Sequence, residues 1–412
     1  MSFDTANHAW LLLIILLGGG LVLAKLTERP KIPDVAAYLV LGIILGTSGL
    51  GFINEPAYTQ VNQWILSFGA VVILFDGGRN VSLAILRQSW LTVVLLATVG
   101  VLLTAVVVAY AAHVAFGGSF LLALLLGSVV ASTDPATLIP VFRRVPVIAR
   151  LQQTLEAESA FNDATAAVLF AALVEGAKGQ AISPFSVAIS FVMDAGIGIV
   201  VGAVVAMMGL IMVSHTRWGF LREYSSVVLL LVAMISYALA SAMDGSGFMA
   251  AFVAGLVAGN SKAFHVPISS MTQGHAQHLF DAVTLVFRIM IFVLLGSQVQ
   301  FHDMTHNFGA LLAIVIVLMF VARPITVFSS VLPDRKARFT LREMLLMSWV
   351  RETGVLPAAL SGMLLAQHVP WARRIAAVTF LAILLTILVQ AVTMPWVAKR
   401  LSLTVAQEEQ EI

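Results

Sequence analysis

The chain contains no cysteine, and only 11% of its 412 residues are charged. Without cysteine there are no disulfides and no thiol chemistry. Soluble domains carry about 25% charged residues to cover their surfaces, so this composition excludes a soluble protein. Basic and acidic residues nearly balance at 23 and 21, and no nucleic-acid motif occurs. No nucleic acid is therefore expected as a partner.

Hydrophobic residues are abundant instead, at 60% of the chain with a mean hydropathy of +0.98. Apolar runs of about 20 residues recur from end to end, each long enough to cross the ~30 Å hydrocarbon core of a lipid bilayer as a helix. The loops between them are short, so we expect one membrane domain without a soluble regulatory domain. The pattern predicts an all-α polytopic membrane protein with about thirteen transmembrane helices, at residues 9–27, 33–52, 61–80, 88–113, 119–144, 152–175, 184–213, 224–243, 246–260, 276–299, 306–331, 339–367 and 373–399.

The loops on the two sides of the membrane differ in charge. Seventeen Lys and Arg residues fall in loops or at span ends on one side, and only three fall on the other, namely Lys178, Arg373 and Arg374. Because loops rich in Lys and Arg stay in the cytoplasm, we predict a cytoplasmic C-terminus and an external N-terminus in the inner (cytoplasmic) membrane. An odd number of spans agrees with that orientation.

Two of the predicted spans are interrupted. The fifth contains "TDPATLIP" and the twelfth contains "RETGVLP". They stand seven spans apart, and because seven is odd, a second six-helix repeat would be inverted relative to the first. Proline kinks alone are common in membrane helices, but paired broken helices in inverted repeats are typical of secondary transporters and mark the binding site. We predict a first repeat at about 9–175, a linker helix at about 184–213 and a second repeat at about 224–399.

Acidic residues inside the sixth span carry the strongest chemical signal. The stretch "EAESAFNDATAAV" places Ser159 and Asp163 on one helical face, and Glu158 and Asn162 about 100° around. Hydroxyl, amide and carboxylate oxygens suit a small monovalent cation. A carboxylate there binds a cation or a proton but not both comfortably, and that competition is what an antiporter requires.

The break in the fifth span explains Asp134. A break at "STDP" frees main-chain carbonyls to bind a cation, while the ends of the two half-helices carry partial charge in the middle of the membrane. Asp134 offsets the positive end of a facing half-helix. Its simpler interpretation is an N-cap, with Pro135 at the first helical position. We expect Asp134 to serve both purposes.

The combined motifs resemble a known family. "TDP" in a broken fifth span, "ESAFND" in the sixth, "ARP" in the eleventh and an arginine-led broken twelfth span are similar to monovalent cation/proton antiporters. More narrowly, they resemble the Asn-Asp, sodium/proton exchanger type of bacteria and archaea. "ILFDGG" in the third span and "GSGFMAAFVAGLVAGN" in the ninth also match. The resemblance covers essentially the whole membrane chain.

The resemblance implies roles for the residues around the sixth span. Asp163 would bind the transported Na⁺ (or K⁺) and the proton, with Ser159 and Thr133 as further ligands of the cation. Asn162 stands where electrogenic relatives have a second aspartate, so exchange would be electroneutral, one cation for one proton.

The resemblance also implies structural charges. Glu158 would pair with Arg351, and Arg323 and Asp134 would neutralise the crossing broken helices. Asp76 in the third span matches an acidic position that is an accessory to the site. The family further implies a homodimer, in which a core of spans 4–6 and 11–13 moves like an elevator against a dimerisation domain formed by the remaining spans.

Two residues depart from the family pattern. Glu352 follows Arg351 where many relatives have glycine, which puts the pairing of Glu158 with Arg351 in doubt. Arg288 stands where neutral polar residues are common, and we expect it to pair with Asp281 or Asp194 or to reach the membrane interface.

The sequence favours a secondary Na⁺(or Li⁺)/H⁺ antiporter that works by alternating access, without a cofactor, in pH homeostasis. A K⁺/H⁺ antiporter of the same fold is the main alternative, because the ligand types do not separate the two ions. A passive cation channel is less favoured and differs in lacking proton coupling. An intramembrane aspartyl protease needs two aspartates that share a proton, and no Gly-x-Gly-Asp motif occurs.

Overall fold

The computed structural model describes residues 3–28, 33–54, 59–134, 137–138, 141–142, 147–178, 184–214, 219–266, 268, 270–301 and 307–404. These residues are almost entirely helical and contain no β-strand, only the isolated bridges Gly46–Ile53 and Val147–Thr404. Helices satisfy their own main-chain hydrogen bonds, which a lipid environment demands. The prediction of an all-α fold is confirmed for this part of the chain.

The helices follow the predicted spans closely. The first half of the chain forms α1 Phe3–Glu28, α2 Asp34–Leu45, α3 Gln60–Asn80, α4 Leu83–Leu95, α5 Val101–Phe116, α6 Phe120–Val129, α7 Ala149–Ala177 and α8 Pro184–Val213. The second half forms α9 Ser225–Ala242, α10 Gly247–Gly259, α11 Ser270–Ser297, α12 Phe308–Val317, α13 Arg323–Val331, α14 Leu341–Trp349, α15 Val355–Ala366, α16 Ala372–Leu385 and α17 Val392–Arg400.

Eight helical segments within the described residues are long and apolar enough to cross a membrane: Gln60–Asn80, Leu83–Phe116, Ala149–Ala177, Ile189–Val213, Arg222–Ala242, Gly274–Ser297, Phe308–Val331 and Ala372–Arg400. Five shorter apolar helices fall in the five other predicted ranges: Leu13–Thr27, Asp34–Leu45, Phe120–Val129, Gly247–Gly259 and Val355–Ala366. The chain therefore has the helices of a multi-pass membrane protein. Thirteen crossings, and the inverted repeat, stay predictions.

Three of the long segments contain a π-helical turn, at Leu96–Gly100, Leu318–Ala322 and Thr386–Ala391. The first joins α4 to α5 and the second joins α12 to α13, so the turns occupy comparable places in the two halves of the chain. π-turns bend helices and are frequent at functional sites. The two bent segments touch where the hydroxyls of Thr104 and Thr326 lie 3.0 Å apart.

Both predicted interruptions are present. In the fifth span α6 ends at Val129 and residues 131–134 are not helical. In the twelfth span α14 ends at Trp349 and α15 begins at Val355. Pro135 and Pro140, which we expect to end or kink the fifth span, lie outside the described residues.

Close backbone contacts at glycines divide the helices into two groups. The first group holds α1–α3 and α8–α11, and the second holds α4–α7 and α12–α17. A Cβ at Gly255 would lie 2.0 Å from the carbonyl oxygen of Phe75 within the first group, and one at Gly127 would lie 2.2 Å from that of Ala105 within the second. Among the described residues, every such contact below 3.0 Å between different helices joins members of one group. Backbones therefore approach closely inside each group, as small residues permit.

Many contacts between the two groups are made by apolar side chains, beside a hydrogen bond of 3.0 Å from the amide of Leu83 to Oδ1 of Asn260 at the end of α10. One cluster of buried hydrophobic residues includes Leu39 of α2 and Phe292 of α11 together with Leu126 of α6 and Ile383 of α16. The two groups are thus packed without a glycine seam between them in the part of the chain described.

Candidate functional site

The two broken spans meet at their interruptions, in a region that we call the crossing. The amide of Asp134 donates a hydrogen bond to the main-chain carbonyl of Glu352, with an N–O distance of 2.9 Å. Thr137 donates to Oδ2 of Asp134 at 2.9 Å, and the same oxygen lies against Gly354, the residue that precedes α15. The carboxylate therefore faces the positive N-terminal end of the half-helix α15.

Gly354 is the residue that permits this approach. A Cβ at this position would lie 1.9 Å from Oδ2 of Asp134, which is well inside van der Waals contact. We expect Gly354→Ala to displace the carboxylate and to destabilise the fold by about 1–3 kcal/mol, the usual cost of overpacking. Cation-dependent exchange and thermal stability of the purified variant are the measurements. Gly309→Ala is the matched control, because its Cβ would meet nothing within 4 Å. Equal effects of the two substitutions would contradict this account.

Two arginines occupy the carbonyl ends of the half-helices. Nη2 of Arg351 donates to the carbonyls of Val130 and Ala131, at 2.8 and 3.0 Å, just beyond α6. Nε of Arg323 donates to the carbonyl of Met347 in the last turn of α14 at 3.0 Å. A break leaves these carbonyls without helical partners, and each arginine supplies donors and a positive charge where the helix end is negative.

The predicted pairing of Glu158 with Arg351 is wrong. Glu158 pairs with Arg323, whose Nη1 contacts Oε1 while Nη2 donates to Oε2 at 3.0 Å. The two-point geometry is the one that guanidinium and carboxylate favour. Arg351 instead donates hydrogen bonds to the free carbonyls at the fifth-span break. Arg323, at the start of α13, is the arginine that pairs with Glu158 of α7.

The predicted ligands Thr133 and Ser159 and the predicted site residue Asn162 form one hydrogen-bonded group. The hydroxyls of Thr133 and Ser159 lie 2.7 Å apart. The side-chain amide of Asn162 forms two hydrogen bonds with Thr133. Nδ2 of Asn162 donates to the hydroxyl of Thr133 at 2.7 Å, and Oδ1 of Asn162 accepts from the main-chain N–H of Thr133 at 3.3 Å. Asn162 thus fixes the non-helical segment of the fifth span against α7.

Asp163 lies beside this group and is 7% exposed. Within the described residues, its Oδ1 has no hydrogen-bond partner. Together with Thr133 and Asp134 it lines a cavity with about 340 Å³ of empty space. A buried acceptor that faces a cavity and lacks a donor is suited to bind a cation or a proton.

Sequence reasoning did not name the apolar walls of this cavity. They consist of Ala70, Ile73 and Leu74 of α3, Phe248 of α10 and Val355, Leu356 and Pro357 of α15. The cavity therefore lies where the two groups of helices meet. The signal was present in the motif matches, because "ILFDGG" begins at Ile73 and "GSGFMAAF" contains Phe248.

Two other predicted charges lie away from the cavity. Asp76 is buried on α3 and pairs with Arg79 at 3.8 Å, and it is not among the residues that line the cavity. Nε of Arg288 lies 3.8 Å from Oδ2 of Asp34. We expected Arg288 to pair with Asp281 or Asp194, and that prediction is wrong. The acid within 4 Å of Arg288 is Asp34, which α2 supplies.

Known proteins match the whole chain. Residues 12–400 match the family described as "Sodium/hydrogen exchanger, transmembrane". The structure of the sodium proton antiporter MjNhaP1 from Methanocaldococcus jannaschii is similar, with a TM-score of 0.76, 27% identity and coverage of 95% of this chain and 100% of that one.

Two relatives of known name are similar over nearly the full chain. The K⁺/H⁺ antiporter NhaP of Alkalimonas amylolytica is 29% identical over 98% of this chain and 69% of its own length. The Na⁺/H⁺ antiporter ApNhaP of Aphanothece halophytica is 29% identical over 95% of this chain and 74% of its own length. The match to the family extends through every helix that builds the crossing. The chain therefore belongs to the sodium/hydrogen exchanger family of transmembrane cation/proton antiporters.

Proposed function

We propose that this protein exchanges Na⁺ or Li⁺ for H⁺, one for one, by alternating access, and that the cation and the proton compete for Asp163. The observation that carries the proposal is the position of Asp163. It is a buried carboxylate whose Oδ1 has no hydrogen-bond partner in the part of the chain that the structure describes, and it lines a cavity together with Thr133.

The cycle uses groups already close together. When Asp163 loses its proton, its carboxylate binds the cation with the hydroxyls of Ser159 and Thr133, which lie 2.7 Å apart, and with water. A proton that arrives from either side neutralises Asp163 and releases the cation. Because one carboxylate serves both substrates, each transfer moves a single positive charge, and the exchange is electroneutral.

The packing of the helices supports a moving core. Close glycine contacts join helices within each of the two groups and not between them, in the part of the chain described. The second group, α4–α7 and α12–α17, contains Asp163 and the crossing, and it corresponds to the predicted core of spans 4–6 and 11–13. We propose that this core slides against the first group, with the apolar wall of α3 and α10 closing the cavity on one side.

K⁺ is the alternative cation. One of the similar proteins is named as a K⁺/H⁺ antiporter and another as a Na⁺/H⁺ antiporter, and carboxylate and hydroxyl ligands accept both ions. The size of the coordination shell decides between them, since ligand chemistry alone does not. We further propose an inner-membrane protein with an external N-terminus and a cytoplasmic C-terminus, from the distribution of Lys and Arg among the loops. The proposal of a homodimer rests on the resemblance to the family.

Proton movement in proteoliposomes tests the proposed function. Purified protein is reconstituted with an imposed pH gradient, and Na⁺, Li⁺ and K⁺ are added in turn, with and without a potassium-valinomycin clamp. We expect Na⁺ and Li⁺ to collapse the gradient at a rate that the clamp does not change. Collapse by K⁺ alone would establish the K⁺/H⁺ alternative. A cation leak without proton movement would indicate a channel and contradict the proposal.

A further inference from the structure

Glu352 is a buried acid that the exchange cycle does not use. It lies in the interruption between α14 and α15 and is 1% exposed. Its main-chain carbonyl accepts the amide of Asp134, but within the described residues its side-chain Oε1 has no hydrogen-bond partner. Glu352 is not among the residues that line the cavity. A carboxyl group in this place needs a physical reason, because an isolated charge in the membrane interior is costly.

Neither arginine of the crossing donates a hydrogen bond to Oε1 of Glu352. Arg323, Asp134 and Arg351 are close enough to Glu352 to interact with it electrostatically. Arg323 is engaged with both oxygens of Glu158 and with the carbonyl of Met347. The neighbouring Arg351 bonds main-chain carbonyls through Nη2, and its Nη1 has no partner among the described residues. The adjacent Arg351 and Glu352 therefore do not form a hydrogen-bonded ion pair.

The charges of the crossing do not balance if every acid is ionised. Two arginines face four carboxyl groups, those of Asp134, Glu158, Asp163 and Glu352. The pair of Arg323 and Glu158 is neutral, which leaves Arg351 against three acids. A bound monovalent cation, or a proton on Asp163, offsets one of them. One negative charge then remains in each loaded state, in a region from which water is largely excluded.

We propose that Glu352 holds a resident proton that is not exchanged during transport. With that proton in place, the crossing is electrically neutral when Asp163 carries a cation and also when Asp163 carries a proton. It bears one negative charge only when Asp163 is empty. Moving a net charge through a low-dielectric region is unfavourable, so the resident proton favours movement of the loaded core and opposes movement of the empty one. This inference rests on the proposed exchange at Asp163, and it assigns Glu352 a separate proton.

Infrared spectroscopy of the purified protein tests the resident proton. A protonated carboxylic acid gives a carbonyl-stretch band that a carboxylate lacks. We expect wild-type protein at neutral pH to show such a band that is missing in Glu352→Gln and that does not change when saturating Na⁺ is added. A second such band, missing in Asp163→Asn, is expected to disappear on addition of Na⁺, because there the cation replaces the proton.

Three results would overturn the proposal. If the spectrum of Glu352→Gln contains every protonated-acid band of the wild-type spectrum, Glu352 is ionised in the wild-type protein. A Glu352 band that disappears with Na⁺ would show that its proton is transported. If Glu352→Gln does not fold, the measurement is made instead on wild-type protein labelled with ¹³C only in glutamate. An isotope-shifted acid band that persists in Na⁺ is then expected, and its absence would contradict the proposal. Failure of the proposed function is seen separately, as absent exchange by wild-type proteoliposomes.

Discussion

Asp163→Asn is expected to reduce cation-dependent proton movement to the rate of protein-free liposomes while the protein remains folded. An amide has nearly the shape of the carboxylate, but it carries no charge and does not take up a proton in this pH range. The variant keeps the group formed by Thr133, Ser159 and Asn162 and loses the charge of the carboxylate whose Oδ1 has no hydrogen-bond partner among the described residues. The loss therefore falls on cation binding and proton binding together.

Two further variants make this result specific. Asp163→Glu keeps the charge with a longer side chain, and we expect it to retain part of the exchange with altered cation affinity. Asp194→Asn is the matched control, since Asp194 is an aspartate within α8 that is not among the residues lining the cavity. Full exchange by Asp163→Asn, or equal loss in Asp194→Asn, would contradict the assignment of the site.

Glu158→Ala is expected to destabilise the protein by about 3–5 kcal/mol, the usual cost of leaving one partner of a buried ion pair alone. Arg323 would keep its charge in the interior, where only 3% of its side chain is exposed, with a single carbonyl partner left at Met347. The measurement is the thermal unfolding midpoint of purified protein in detergent. Glu175→Ala is the control. It removes an ion pair to Lys178 whose side chains are 47% and 52% exposed, and exposed pairs contribute about 0–1 kcal/mol.

A double variant separates the pair from its members. Glu158→Leu combined with Arg323→Met removes both charges, and we expect it to be more stable than either single variant, because no buried charge is left unpaired. A double variant as unstable as the sum of the two singles would show that Glu158 and Arg323 act independently. Glu158→Leu combined with Arg351→Met is expected to show no such recovery, since the structure does not pair those residues.

Much of this molecule could be predicted from local sequence pattern. The apolar runs located the helices because each must be long enough for the membrane. The two interruptions fell where proline, and in the twelfth span also glycine, is combined with charge. Asp163 and Ser159 could be placed on one face of the sixth span from spacing alone. These features depend on residues within about one helical turn of each other.

Features that depend on distant residues could not be predicted in the same way. Arg323 and Arg351 are both buried arginines near the crossing, and only the three-dimensional position of the free carbonyls at Val130 and Ala131 decides which of them meets Glu158. The partner of Arg288 likewise comes from α2, more than 250 residues earlier in the chain. The π-turns leave no local signal that we recognise in the sequence.

The number of protons released when a cation binds to purified protein tests the central claim most directly. Titration calorimetry of Na⁺ binding in buffers with different ionisation enthalpies gives this number at each pH. Competition for Asp163 predicts release that rises toward one proton per cation as the pH is lowered, with a parallel loss of cation affinity, and no such release in Asp163→Asn. Cation binding without proton release at any pH, or the same release in Asp163→Asn, would contradict the account.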